Sequence, residues 1–425
     1  MVKAEALVSP ILDATSYNNH IQVSMGKRFF STPYKFLLAL IFLCNGHLIS
    51  YGQDTSRLQI SIITCEPGSE LYSIFGHSAI RVIDSNFVAD VIYNFGTFDF
   101  DDPDFYQKFV QGKLKYFLSV NRAEDFISSY QAENRGVTEQ VLLLSATEKR
   151  QIRDALAENM KEENRFYLYD FFLDNCTTRL RDILKKYKQP PINLPAVMPT
   201  EFTFRNAIHQ YLDSGQMYWS KLGIDLLLGA PTDAVMTVEQ QQFLPENLMI
   251  AIDRNASGNI VKATNPIYTS IKTDAASFIV TPMMCSALLL LIGVLLTFLA
   301  IVKKKLFVGL TFFDTILFFL IGLLGCLFVF MWFGTDHIMT KNNYNLLWAL
   351  PTHIIGAVFI RRKSNLAKSY FLGTAIISLL LLLFWSLLPQ QLNTALIPIV
   401  VLIAIRSAHL FYTKRNLLLN GNQEM

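Results

Sequence analysis

Phe75-Gly76-His77-Ser78-Ala79-Ile80-Arg81-Val82 and, about 100 residues later, Asp174-Asn175-Cys176-Thr177-Thr178-Arg179 are the two stretches from which this chain is read. The first is apolar and β-branched and opens on a histidine, which predicts a strand with His77 at its edge. The second sets a cysteine directly behind two good helix-capping residues, so Cys176 falls in the first turn of a helix running to about Tyr187. Unsatisfied N–H groups and the helix dipole at that position favour an anion. A free thiol has a pKa near 8.5, and a helix N-terminus or a histidine partner lowers it. Cys176 is therefore a candidate nucleophile and His77 its candidate base, provided the fold brings the ring to within about 3–3.5 Å of the sulfur. The plain alternative for an unpaired cysteine is a buried structural residue.

Working outward, Leu58–Thr64 alternates as a strand and ends at Glu66-Pro67-Gly68. His77–Asp84 and Val88–Phe95 read as a hairpin turning at Ser85-Asn86. Lys113–Val120 and Gly136–Leu144 are further strands, and Glu70–Phe75 reads as a short helix or a tight turn. Pro103–Gln111, Ala146–Lys161 and Glu201–Leu212 read as helices. The fold class is α+β, a small antiparallel sheet packed on helices. A third polar group normally orients a catalytic imidazole, and Asn94 and Tyr93 lie on the strand paired with that of His77. Their side chains point to opposite faces, so at most one can serve, and Asn94 is preferred. His209, mid-helix, reads as a surface or core residue.

Of the 425 residues 52% are hydrophobic and only 17% charged, against about 25% charged in soluble domains. The net charge of +3 is small, and its basic residues gather at membrane edges, which argues against a nucleic-acid partner. Five cysteines form no disulfide framework. Only Cys65 and Cys176 fall in the soluble part, where a disulfide between them is the competing use in an oxidising compartment.

Residues 1–52 read as a leader: a start at Met25, basic Lys27 and Arg28, an apolar stretch Phe36 to Cys44, and small residues Ser50 and Gly52 before Gln53. An uncleaved anchor is the competing reading, and either one exports the domain that begins at Gln53. Residues 53–275 read as that exported domain. Within 276–425, five runs read as transmembrane helices: Phe278–Val302, Leu306–Phe333, Leu346–Ile360, Tyr370–Leu388 and Ala395–Phe411, each approaching the roughly 20 apolar residues that cross a bilayer. Lys303-Lys304-Lys305, Arg361-Arg362-Lys363 and Lys414-Arg415 make alternate connections basic and hence cytoplasmic. That puts the C-terminus inside and the domain before Phe278 outside, in agreement with the leader. Asp314, in the second run, must be protonated, paired or turned to a helix interface, because a mid-bilayer carboxylate costs about 2.5–3.5 kcal/mol. The polar outer loop 334–345 carries Asp336 and His337, which emerge on the side of Cys176. Two such residues are weak grounds for a metal, so neither metal nor cofactor is expected.

The order of a strand histidine, a second strand and a later Asn-Cys at a helix start resembles circularly permuted papain-like folds, among them the NlpC-type hydrolases and the lecithin:retinol acyltransferase group. More narrowly, Pro67-Gly68, the His77 stretch, Tyr93-Asn94-Phe95-Gly96-Thr97-Phe98-Asp99-Phe100 and Asp174-Asn175-Cys176-Thr177-Thr178-Arg179-Leu180-Arg181-Asp182, followed by a multi-span block, resemble the Bacteroidota apolipoprotein N-acyltransferases of the Lnb type. The resemblance covers nearly the whole chain after the leader. It implies a permuted papain-like thiol domain in the periplasm on an all-α bundle of five inner-membrane helices. It implies that Cys176 takes an acyl chain from a membrane phospholipid as a thioester, with His77 as base and Asn94 as third residue, and passes it to the α-amine of a diacylglyceryl-cysteine on a lipoprotein. Asn175, Arg179, Tyr93, Asp336 and His337 are then candidate substrate-binding residues, and backbone N–H groups at the helix start would hold the oxyanion. Two other readings compete: a membrane-anchored NlpC-type peptidase or amidase of the cell envelope, and a non-catalytic membrane scaffold. Labelled phospholipid acylates Cys176 only in the first reading, and Cys176→Ala and His77→Ala are silent only in the last.

Overall fold

A computed structural model describes residues 57–255, 260–271, 280–303 and 307–421, with side chains of 303, 307 and 415–421 left aside. The leader, with Met25, Cys44 and the cleavage region, lies outside the described residues, as do both edges of the exported domain, Gln53 and Ala275.

Seven antiparallel strands form one sheet in the order β6-β4-β3-β2-β1-β5-β7: β1 Leu58–Cys65, β2 His77–Asp84, β3 Ala89–Thr97, β4 Lys115–Arg122, β5 Val137–Leu142, β6 Phe166–Leu168 and β7 Val261–Tyr268. β1 is central and almost wholly buried because its β-branched residues serve two cores at once. Ile60 and Ile62, with Ile80, Val82 and Phe95, face helices α3 (Ala146–Asn159), α4 (Cys176–Tyr187) and α7 (Pro245–Asp253) through Ile152, Leu156, Leu180, Leu184 and Leu248. Ile63 and Cys65, with Ala79 and Ile92, face helix α2 (Ala123–Ala132) through Ala123 and Phe126. Cys65 is a free, buried thiol, as Cys176 is free, so the competing disulfide is not formed. The two-residue alternation thus decides that His77 and Asn94 share the α2 face, whereas Tyr93 packs into the α4 core.

Differences from the sequence reading have local causes. α2 and β7 were not expected, α2 because its polar residues conceal a single buried pair, Ala123 and Phe126. Glu70–Phe75 takes the second of its two expected forms, a tight turn, with Gly68 N–H donating to Ser73 O and Gly76 N–H to Ser73 O. Two more helices complete the exported part, α5 (Phe204–Ser214) and α6 (Tyr218–Leu227), and a short aromatic helix α1 spans Phe105–Gln111.

Among the described residues four helices are long and apolar enough to cross a membrane: α8 (Pro282–Lys303), α9 (Phe307–Phe333), α11 (Asn365–Leu383) and α12 (Ile397–Gly421). The expected third span, Leu346–Ile360, is not one continuous helix. It contains only a 3₁₀ turn Tyr344–Leu347 and the seven-residue helix α10 (His353–Phe359). Pro351 interrupts the hydrogen-bond ladder between them. The irregular backbone is shielded by close approach to α9, where a Cβ on Gly325 would sit 2.1 Å from Ala349 O and one on Gly322 2.6 Å from Ile354 N. His353 Nε2 lies 3.0 Å from the freed Trp348 O. At its far end Lys414 Nζ donates to Ile360 O and Arg362 O, so the basic connection after α10 and the base of α12 meet.

Asp314 is paired. Arg406 of α12 grips it with two bonds of 2.7 and 2.8 Å and also donates to Thr297 of α8, tying three spans together. Arg406 escaped the sequence reading although it breaks the apolar pattern of the last run.

The outer ends of the spans are bolted to the exported domain through α6. Asn345 and Asn343 donate to Asp225 O and Leu226 O, Gln390 to Leu228 O, and Asn393 to the Asp225 carboxylate at 2.8 Å. Asp225 also receives Arg205 at 2.7 Å and lies 2.8 Å from His209 Nε2. His209 therefore has a definite place at this seam. Burial opposes the Asp225 charge, but His209, Arg205 and Asn393 together hold its pKa below the usual carboxylate range. Asp225→Ala takes one of two carboxylates from the fully buried Arg205, which keeps Asp233 at 2.9 Å, and strips Asn393 and His209 of their shared acceptor. A loss on the order of 1–3 kcal/mol is expected from the buried donors left unpaired, read as a lowered thermal midpoint of the purified full chain in detergent.

Candidate active site

α4 begins where it does because Asn175 caps it. Its Oδ1 accepts from Thr177 and Thr178 N–H at 2.8 and 2.9 Å, and Thr178 returns a bond to the Asn175 backbone. Its Nδ2 donates to Phe171 O and Phe243 O. Both ends of this buried amide are thus occupied, and Asn175 positions Cys176 rather than offering a group to substrate. The same cap consumes two of the first-turn N–H groups expected to hold an oxyanion.

β2 delivers His77 to the same place. Gly76, just before it, has φ +75°, and a Cβ there would lie 2.6 Å from Cys65 O. Only glycine brings the chain into β2 at that approach. α4 is stitched to β2 by the Ser78 and Thr177 hydroxyls, 3.1 Å apart and buried. His77 and Cys176, 99 positions apart, consequently interact through their side chains.

His77 Nε2 lies 3.2 Å from Asn94 Oδ1. The Asn94 amide is oriented by its other end, because Nδ2 donates to Asn121 Oδ1 at 2.8 Å and faces Ile92 O, which can only accept. Oδ1 therefore points to His77, Nε2 carries the hydrogen, and Nδ1 is the free base left for the sulfur. Asn121, at the end of β4, escaped sequence reading, since nothing local marks it as a partner of Asn94.

This geometry sets the electrostatics. Burial pushes the Cys176 thiol up, but His77, the Ser78 backbone N–H and the Thr177 hydroxyl outweigh it and bring its pKa down to about 7. Burial disfavours the His77 imidazolium, yet Cys176 and Asn94 more than compensate and raise its pKa above the ordinary value. Cys65 is the contrast. Burial drives its thiol up to about 12, leaving it inert at neutral pH.

Of the other candidates, Arg179 is held by Asp174 through two bonds of 2.7 Å and lies over the Tyr167 ring at 3.4 Å. Tyr93 packs into the α4 core, on the sheet face opposite Asn94. Asp336 and His337 do not join the thiol cluster. Their contacts run to α1, with Asp336 N–H donating to Gln111 O at 2.9 Å and His337 Nε2 3.1 Å from Phe109 O. Gly96, in a bulge with φ +89°, lets its backbone pass beside the first turn of α4, and a Cβ there would lie 3.9 Å from Cys176 Cβ and 4.0 Å from Tyr167 Oη. That tyrosine oxygen is buried and has no hydrogen-bond partner among the described residues. Among the described residues no three His, Cys, Asp or Glu side chains gather as a metal site would need.

Residues 52–210 match the Lnb N-terminal periplasmic domain, and residues 273–416 match the Lnb transmembrane domain. The chain belongs to the Lnb family. It is an inner-membrane protein whose sheet domain is periplasmic, and the family is consistent with an enzyme of lipoprotein modification. No curated protein and no solved structure matches it significantly.

Asn94→Ala removes the acceptor that fixes the His77 ring and its tautomer. Acetylation of Cys176 by a small activated ester, p-nitrophenyl acetate, is expected to fall on the order of 10- to 100-fold, with partial recovery in Asn94→Gln, measured on the full chain in vesicles.

Proposed function

We propose that this protein is a lipoprotein N-acyltransferase whose thiol domain is permuted papain-like and whose chain crosses the membrane five times, the broken segment 344–360 serving as the third crossing. The observation that carries the reading is the row Cys176, His77, Asn94, a thiol with a lowered pKa backed by an oriented imidazole, on a domain bolted to the outer ends of membrane helices. A water-soluble substrate would not call for that attachment. A phospholipid donor and a lipid-anchored acceptor both lie in the bilayer, and fixing the domain at its surface converts a search into positioning.

In the first half-reaction the Cys176 thiolate attacks an ester carbonyl of the phospholipid. The ester C–O bond breaks, the acyl group stays on sulfur as a thioester, and the lyso-lipid oxygen leaves with the proton held on His77 Nδ1. In the second, the neutral α-amine of the diacylglyceryl-cysteine attacks the thioester, His77 takes the amine proton, the C–S bond breaks and an amide forms. Dividing the transfer in this way replaces one hard step by two easier ones. With the Thr177 and Thr178 amides used by the cap, the Cys176 N–H and the Tyr167 hydroxyl are the donors assigned to the oxyanion.

Mass spectrometry of lipoprotein N-termini tests the reading in cells carrying wild-type protein or Cys176→Ala. Wild-type cells should show an amide-linked acyl chain that the variant lacks. An unchanged lipid pattern sinks the proposal.

A further inference from the structure

Aromatic rings form a continuous row leading away from Cys176. Tyr169 and Cys176 both flank Gly96, where a Cβ would lie 3.4 Å from the Tyr169 ring and 3.9 Å from Cys176 Cβ. Tyr169 stacks on Tyr116 at 4.4 Å, Tyr116 meets Phe98 at 5.3 Å, Phe98 meets Phe105 at 5.8 Å and Phe105 stacks on Phe109 at 6.1 Å. The row thus runs from the thiol to helix α1.

α1 has an unusual surface for a helix of seven residues. Tyr106 is 79% exposed, Phe109 51% and Val110 42%, while Lys108 is drawn to the other side by Asp102 at 2.8 Å. Large apolar groups on one exposed face mark a surface that meets something apolar. Continuity with the spans identifies the partner. α9 ends in the stacked pair Trp332 and Phe333, and Phe333 is 74% exposed. Three residues later the chain is fastened to the C-terminal carbonyls of α1 by Asp336 N–H and His337. Three residues reach at most about 11 Å, so the apolar face of α1 lies at the level where α9 leaves the hydrocarbon. Tryptophan at a helix end is itself an interfacial anchor.

We propose that α1 dips into the outer leaflet and that the row Phe109, Phe105, Phe98, Tyr116, Tyr169 guides one hydrocarbon chain of a membrane lipid to Cys176. This rests on the acyl-transfer reading and adds the surface and the route. The row's length, on the order of 20 Å, is comparable with the roughly 15 Å of hydrocarbon in one leaflet. Ring faces hold an alkyl chain without demanding a fixed register, which suits a reaction whose reactive carbonyl lies at one end of that chain. It also gives the outer loop a purpose: Asp336 and His337 hold α1 at the membrane.

The test uses the full chain in phosphatidylethanolamine–phosphatidylglycerol vesicles. In a Cys176→Ala background, a phospholipid with a diazirine near the end of its acyl chain should label the peptide containing α1. In the otherwise native chain, Tyr106→Glu with Val110→Glu should lower acylation of Cys176 by long-chain phospholipid by about tenfold or more, as expected when remote apolar contacts are removed. Acetylation of Cys176 by p-nitrophenyl acetate should stay within about twofold, because that small ester needs no chain contact. Absence of label on α1, equal phospholipid rates, or parallel loss of both activities overturns the route. If wild-type Cys176 accepts acetyl but never a phospholipid chain, the transferase reading fails instead, and the photolabel still reports whether α1 meets lipid.

Discussion

Cys176→Ser is expected to reduce acyl transfer on the order of 10⁴-fold or more, although it changes a single atom. The site is built to stabilise a sulfur anion: His77, the Ser78 N–H and the Thr177 hydroxyl together bring the thiol to about 7 despite burial. A hydroxyl has no accessible anion near neutral pH, and the shorter C–O bond draws the nucleophile back from Nδ1. Transfer from labelled phospholipid to a lipoprotein peptide measures the loss. Cys65→Ala should leave the rate within about twofold, since that thiol, held up near 12, takes no part. Adding His77→Ala to the Cys176 variant should cost almost nothing more, because residues acting as one unit are not additive.

His77→Ala alone is the second large effect, expected on the order of 10²- to 10⁴-fold in transfer at neutral pH. It also carries a pH signature. In the native chain the sulfur is half ionised near pH 7, so its alkylation by iodoacetamide should rise with pH through an inflection there. Without His77 the opposing effect of burial is no longer outweighed, and the inflection should move above the free-thiol value of about 8.5. Below that pH the thiolate is depleted, so alkylation at pH 7 should fall roughly 15-fold or more. The direction comes from the sign of the interaction: an imidazolium beside sulfur favours the anion, and its removal favours the neutral thiol. An inflection that stays near 7 would mean that His77 does not govern Cys176.

The long spans, their direction and the two candidate side chains that the fold brings together were legible from the residues alone, because each depends on local information. A run of apolar residues crosses lipid by its own length, basic residues at its ends orient it, and a cysteine after Asp-Asn sits at a helix start by capping chemistry alone. The same local view missed the break in Leu346–Ile360, where composition suggested one continuous helix and Pro351 together with close packing on α9 produced a broken segment. It saw Asp314 as a problem without finding Arg406, since the two lie 92 positions apart.

The site divides in the same way. Alternation along β3 limited the orienting residue to Asn94 or Tyr93 and gave no more than a preference for Asn94, because the choice depends on which face of the sheet carries His77. That face is set by the pairing of β2 with β1 and by α2 packing beneath it. Asn121, which orients Asn94, and the aromatic row ending at α1 have no sequence signature at all. They arise when a bulge at Gly96 and the return of β4 bring distant rings and amides side by side. The sequence by itself determined which atoms can react and on which side of the membrane they stand. Tertiary packing decided which of them touch, because hydropathy and capping act within a few residues whereas sheet register and helix docking act across a hundred.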